Sequence, residues 1–223
     1  MKTPLLSLVL FLSTAGIAAA AVPDVTPEGL TLIKGAKADV VYLRSGVSFT
    51  GYTKLMLIEP TIAFRKDWQK DTKRNEARGW VTDDEMAGMI AMGKKILVEE
   101  FAKTLMAAGY TFVQTPGPDV LMLRPAIQEL DIPAPDPSNQ IGSYNRVYAE
   151  QSGEATLAVE LYDSVTGQLL ARAYDRTSGD NPAFNRRSER TQQTNIQDAH
   201  LAMREWAKML AKGLERAKAA KVP

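Results

Sequence analysis

One histidine, His200, and no cysteine are the strictest chemical facts about this 223-residue chain. Thiolate nucleophiles, thiolate metal sites and disulfides are excluded outright, as is a lipidated N-terminal Cys. A zinc site would have to surround His200 with carboxylates alone, a poor ligand set for that ion. Ser48 in GVSFTG stands one residue out from a G-x-S-x-G elbow and follows no strong strand. No phosphate-binding loop or dinucleotide fingerprint is present. Asp136-x-Ser138-x-Gln140 lacks the Gly and the closing Glu of a calcium loop. Asp83, Asp84 and Glu85 are adjacent on a helix start, where side chains diverge, so they read as caps rather than ligands. These residue types lead to the expectation of no catalytic residue, no metal and no cofactor. Paired carboxylates stay open, because their separation is a spatial quantity.

Groups suited to recognition are more plentiful. Tyr144, Asn145, Arg146, Phe184, Asn185, Arg186 and Arg187 lie in two long polar connections, Pro133–Val147 and Thr177–Thr194. Aromatic and Arg side chains are favoured anchors, and long connections are either functional or solvated. A third stretch, Phe64–Trp80, interleaves Arg65, Lys66, Lys70, Lys73, Arg74 and Arg78 with Trp68 and Trp80. It reads as a solvated helix or loop whose Trp residues fold back onto the core; binding of nucleic acid or anionic glycan is the alternative.

The elements that must hold these groups are legible as periodicities. Ala155, Leu157, Val159 and Leu161 alternate with Thr156, Ala158, Glu160 and Tyr162; Leu169, Ala171 and Ala173 continue the apolar face. With Asp163–Gly167 between them, Glu154–Arg176 predicts a β-hairpin. Further strands are expected at Leu55–Phe64, Tyr110–Val113 and Val120–Ile132, with Pro60 and Pro125 at bulges or unpaired positions. Thr82 and Glu85 form a capping box for a helix over Asp83–Ala108, stopped by Gly109. Met86, Met89, Ile90, Leu97, Phe101 and Leu105 lie near one face of that helix, and Lys94, Glu99, Glu100 and Lys103 fall elsewhere. A second box at Thr194–Gln197 opens a helix to about Lys218, with a stripe of Ala199, Met203, Trp206, Leu210 and Leu214. Its terminal Lys212, Arg216 and Lys218 complement the helix dipole; attraction to a membrane is the other reading.

Met1–Ala21 has the three parts of a secretory signal: Lys2, the apolar run Leu5–Ile17, and small residues with cleavage expected near Ala20 or Ala21. The run is shorter than the roughly 20 apolar residues of a span. The expected product is a periplasmic or secreted single α+β domain over 22–223, with an extended arm over 22–50. Its basic and acidic residues balance, which gives no general attraction to nucleic acid or anionic membrane.

The expected architecture is a two-layer α+β sandwich: a mainly antiparallel sheet of about five strands with two long helices on one face. A meander of the last three strands puts both long connections at one pole. A right-handed crossover before it sends Phe64–Trp80 to the opposite pole.

Val41-Tyr42-Leu43-Arg44, Gly46, Tyr52, Pro60 and Phe64-Arg65-Lys66-Asp67-Trp68 resemble the bacterial family called domain of unknown function 3313. Gly117-Pro118-Asp119-Val120-Leu121, Leu123-Arg124-Pro125 and Glu160-Leu161-Tyr162-Asp163-Ser164 with Gly167 follow in the same order. The resemblance covers nearly all of the mature chain. It implies an exported envelope protein, of a kind often called lipoproteins, with no established activity and no catalytic residues to carry over. The missing Cys departs from the lipoprotein pattern. The function expected is a non-catalytic binding or assembly-accessory module of the envelope, its partner an unknown envelope protein or glycan. A carboxylate-based hydrolase and a small-ligand carrier are the alternatives.

Overall fold

The computed structural model describes residues 22–74, 81–132, 148–149, 153–177, 188–189 and 192–219. In chain order the elements are β1 (Leu30–Leu32), β2 (Val40–Arg44), β3 (Lys54–Leu57), β4 (Thr61–Phe64), α1 (Trp68–Arg74) and α2 (Asp83–Ala107). There follow β5 (Thr111–Phe112), β6 (Val120–Asp131), β7 (Tyr148–Ala149), β8 (Glu154–Asp163), β9 (Leu169–Thr177), β10 (Ser188–Glu189) and α3 (Gln192–Ala219).

The hairpin forms as its alternation demands. β8 and β9 pair antiparallel, with Val159 opposite Ala173. Asp163 Oδ1 accepts from the amides of Val165 and Thr166 at 3.1 and 2.7 Å, and Gly167 turns the chain at φ 67°. Around this ribbon the sheet is larger and less regular than expected. Its order is β1-β2-β9-β8-β6-β3-β5, with β4 also on β6. These eight strands replace the expected five, and the sheet is mixed, because β3, β4 and β5 all join in parallel.

Part of the difference lies in the first 50 residues, where the arm contributes β1 and β2, and β2 pairs with β9. Another part is the break at Ile58–Pro60, which divides one expected strand into β3 and β4. Pro125 of β6 sits opposite that break, after Leu123 has paired with Leu57 and before Ala126 pairs with Thr61. Its missing N–H faces the gap, so a proline is tolerated in a central strand.

The strand directions overturn one expectation. After Thr115–Asp119 the chain runs on in the direction of β5; the carbonyl of Asp119 takes the amides of Thr53 and Lys54, both at 3.1 Å, at the start of β3. β5 and β6 therefore flank β3 in parallel. Phe64, at the end of β4, pairs with Leu130 near the end of β6. The basic segment thus leaves from the pole where β6 and β9 end, not from the opposite one.

Both long helices lie on one face of the sheet. Leu97, Phe101 and Leu105 of α2 are fully buried with Leu55, Leu121, Leu123 and Ile127 of the sheet and Met203, Trp206 and Leu214 of α3. Each such large side chain contributes about 1.5–3 kcal/mol. The capping box at Thr82 and Glu85 is formed in both directions. The second expected box is not: α3 begins at Gln192, which places Thr194 inside the helix. A third, short helix and a small cluster of Leu30, Tyr42 and Leu169 stand outside a simple two-layer plan.

Candidate binding site

Tyr144, Asn145, Arg146, Phe184, Asn185, Arg186 and Arg187 lie outside the described residues. Their anchor points are described. Asp131 pairs with Glu154, and Ala155 with Thr177, so both long connections depart on either side of the start of β8. Beyond those points β7 and β10 pair antiparallel, joining the two connections. At the same pole Trp68 folds inward as expected: its ring stacks on Phe64 at 4.1 Å and its Nε1 donates to the Ile132 carbonyl at 3.2 Å. Arg65 bridges Asp71 and Asp131, each at 2.7 Å, which neutralises the cation closest to the sheet.

An apolar concavity lies elsewhere, between α3 and the β2–β9–β8 side of the sheet. Val41, Leu43, Ala171, Ala173, Leu157 and Val159 pave its floor. Trp206, Met209, Leu210 and Leu214 form the α3 wall, and the β1–β2 connection, from Ile33 to Ala38, closes the side. The cleft measures about 300 Å³. Its cause is volume: Ala171 and Ala173 on β9 face Gly213 and Ala217 on α3, so the two surfaces meet without filling the space that close packing normally fills. Leu210, expected in the core, is half-buried because it fronts this space.

Polar groups here are few and placed. Trp206 Nε1 donates to Asp175 Oδ2 at 2.9 Å across the upper end of the cleft. Burial pushes the Asp175 carboxyl above its ordinary value, with Asp39 adding to the effect and the Trp206 bond opposing it. Lys34 and Lys37 come from the β1–β2 connection, Lys212 and Arg216 from one face of α3. Among the described residues none of these four cations forms an ion pair. Arg172 also borders the cleft, but its guanidinium bonds Glu160 and Glu28 at 2.8 and 3.1 Å. In the sequence Lys212 and Arg216 were legible as dipole complements or as a membrane-attracting cluster, not as the rim of a cleft; the small residues on β9 and α3 were the signal for that.

A second, more open groove of about 460 Å³ lies at the loop pole between the first turns of α2 and α3, lined by Met89, Met92, Ile96, Ile196 and Ala199. Met89, expected in the helix stripe, is half-buried because it fronts this groove; Met86 and Ile90 of the same stripe are half-buried as well. Trp206 borders both spaces.

His200 and Ser48 are each bonded to other partners. His200 Nδ1 lies 2.9 Å from Glu100 Oε1, while Ser48 Oγ bonds Thr50 Oγ1 at 2.8 Å. Glu100, expected off the apolar face of α2, is buried in the α2–α3 seam and takes two bonds from Arg204, at 2.9 and 3.0 Å. The Arg204 bond lowers its carboxyl to about 2, with the His200 contact helping and burial opposing. Among the described residues no group of three or more His, Asp or Glu is placed to hold a metal.

The model of the family described as a protein of unknown function, DUF3313, matches residues 28–210. The chain belongs to that family. None of the curated proteins matches it. Solved structures similar to this DUF3313 member include the PelC dodecamer from Paraburkholderia phytofirmans, at 12% identity and a TM-score of 0.36, covering 76% of this chain and 95% of that one. Protein XCC0632 from Xanthomonas campestris shows 12% identity and a TM-score of 0.41 over 78% and 88% of the two chains. A minor lipoprotein from Acinetobacter baumannii shows 12% and 0.33 over 74% and 94%.

Proposed function

We propose that this DUF3313 member is a non-catalytic binding module of the bacterial cell envelope that takes its ligand in the cleft beneath α3. The observation that carries the reading is the cleft itself: apolar floor and wall, one half-buried carboxylic acid, and cations only at the rim. Ligand sites are typically concave and apolar with a few convergent polar groups, and 300 Å³ lies at the lower end of their usual range of roughly 300–1,000 Å³. The envelope is supported by the secretory pattern of Met1–Ala21; no helix among the described residues is long and apolar enough to cross a membrane. An assembly partner, an envelope protein or glycan, would meet the pole of the two long connections. The same cleft supports a second reading, a soluble carrier that leaves with its ligand.

The test has two arms. Expressed with its own N-terminus in a Gram-negative host, the protein is expected in the periplasm, starting near Ala21 or Val22. A cytosolic product with Met1 intact removes the envelope. Native mass spectrometry of the periplasmic protein is expected to show a co-purifying molecule that Ala173→Phe and Gly213→Phe exclude. Gly213 suits this because a Cβ there meets nothing within 4 Å. Retention of the molecule by both folded variants places binding outside the cleft.

A further inference from the structure

We propose that the occupant of the cleft is a free, single-chain amphiphile with an anionic head, its alkyl chain along the β9 floor and its head among Lys34, Lys37, Lys212 and Arg216. The inference rests on the reading of the cleft as a ligand site and adds the ligand's chemistry.

Shape and charge each supply half of it. The floor and wall offer Val41, Leu157, Val159, Met209 and Leu210 to a chain. A volume of about 300 Å³ suits one alkyl chain better than the two of a membrane phospholipid. At the rim, two lysines on the β1–β2 connection and a Lys–Arg pair four residues apart on α3 flank the opening. Among the described residues the only carboxylate that borders the cleft is Asp175, and it is turned to the Trp206 indole. The nearby Asp39 carboxylate is engaged by the Arg176 amide at 2.8 Å. Four cations against one held acid make the mouth a place for negative charge, although the chain as a whole carries only +1. Nothing in that arrangement favours a cationic head. A sugar head would leave the four charges unmatched.

The probes are laurate, dodecyltrimethylammonium and dodecyl maltoside, each below its micelle concentration, titrated calorimetrically into the mature protein. Laurate is expected to bind at least tenfold more tightly than the other two. Shortening to decanoate and octanoate should weaken binding about fourfold per methylene, the equivalent of about 0.8 kcal/mol at 1.4 kcal/mol per tenfold. The quadruple change Lys34→Ala, Lys37→Ala, Lys212→Ala and Arg216→Ala should cost laurate roughly tenfold or more, and leave dodecyl maltoside unmoved. These side chains are exposed or at the rim, so the fold does not depend on them. Equal affinity for laurate and maltoside, or preference for the ammonium, overturns the anionic head and leaves the cleft standing. Binding of laurate that survives Ala173→Phe and Gly213→Phe moves the site and overturns both readings, as does failure of all three probes. Co-sedimentation with phosphatidylglycerol vesicles without monomer binding makes the partner a membrane surface, which overturns the free ligand.

Discussion

The indole nitrogen of Trp206 reaches across from α3 to the carboxylate of Asp175 on β9, 2.9 Å away, tying the helix to the sheet at the head of the cleft. Burial raises the Asp175 carboxyl above its ordinary 3.8. A carboxyl raised on folding contributes stability that is complete below the unfolded value and lost as pH rises through the folded one. At neutral pH the ionised acid therefore works against the fold. Asp175→Asn keeps an acceptor for the indole and removes the charge. Its melting temperature at pH 7 should rise by about 2–4 °C, the equivalent of about 1 kcal/mol in a chain of this size. At pH 3 the gain should vanish. A lower melting temperature at pH 7 would show the carboxylate to be a net stabiliser.

Glu100 predicts the opposite dependence. Its carboxyl falls from 4.5 to about 2 in the folded protein, chiefly through Arg204. A depressed carboxyl contributes stability that is present above the unfolded value and lost as pH falls through the folded one. Between about pH 4.5 and 2 the protein should therefore lose on the order of 3 kcal/mol from this group alone. Glu100→Gln should be destabilised by about 1–3 kcal/mol at pH 7 and show a shallower acid decline. Parallel pH–melting curves for the two proteins would refute the assignment.

Leu157 lies at the centre of β8, 3% exposed, between the core and the cleft floor. Leu157→Asp would bury a charge with no partner, a cost of several kcal/mol against a typical net stability of about 5–15. The variant should fail to fold. A soluble product with the wild-type far-UV circular dichroism spectrum and melting curve would contradict this packing.

Gly93 brings α2 close to β4: a Cβ there would stand 2.7 Å from Ile62 Cδ1. The methyl in the way is the end of a side chain that borders the groove at the loop pole, so it has room to swing aside. Gly93→Ala gains about 0.8–1 kcal/mol of helix propensity. The expected result is a melting temperature equal to or above wild type. A drop of more than about 4 °C, roughly 1–2 kcal/mol for a chain this long, would show α2 to be clamped at this point.

What the sequence made legible was local. The β8–β9 hairpin and the Thr82 cap each depend on residues a few positions apart, and both formed as read. The direction of β3 against β6 depends on the carbonyl of Asp119 meeting Thr53 and Lys54, a contact no periodicity encodes. β1 and β2 have three and five residues amid Pro and Gly, too few to alternate visibly. The burial of Glu100 was not legible because Arg204, which makes it tolerable, stands 104 positions away. The cleft was the least legible of all. It is made by what Ala171, Ala173 and Gly213 lack, and missing volume leaves no pattern in a hydrophobic count.

The pairing of β2 with β9 has a kinetic side. Arg44 Nε donates to the Leu169 carbonyl across 125 residues of chain. β1 and β2 can pair with each other early, but β2 must wait for β9, nearly the last strand, before it joins the sheet. Contacts of such long sequence separation slow folding, since the loop must close before the ladder rewards it. The β6–β8–β9 meander, by contrast, can assemble without the N-terminal strands. The cleft beneath α3, with β2 as part of its floor, is therefore among the last features of the fold to be completed.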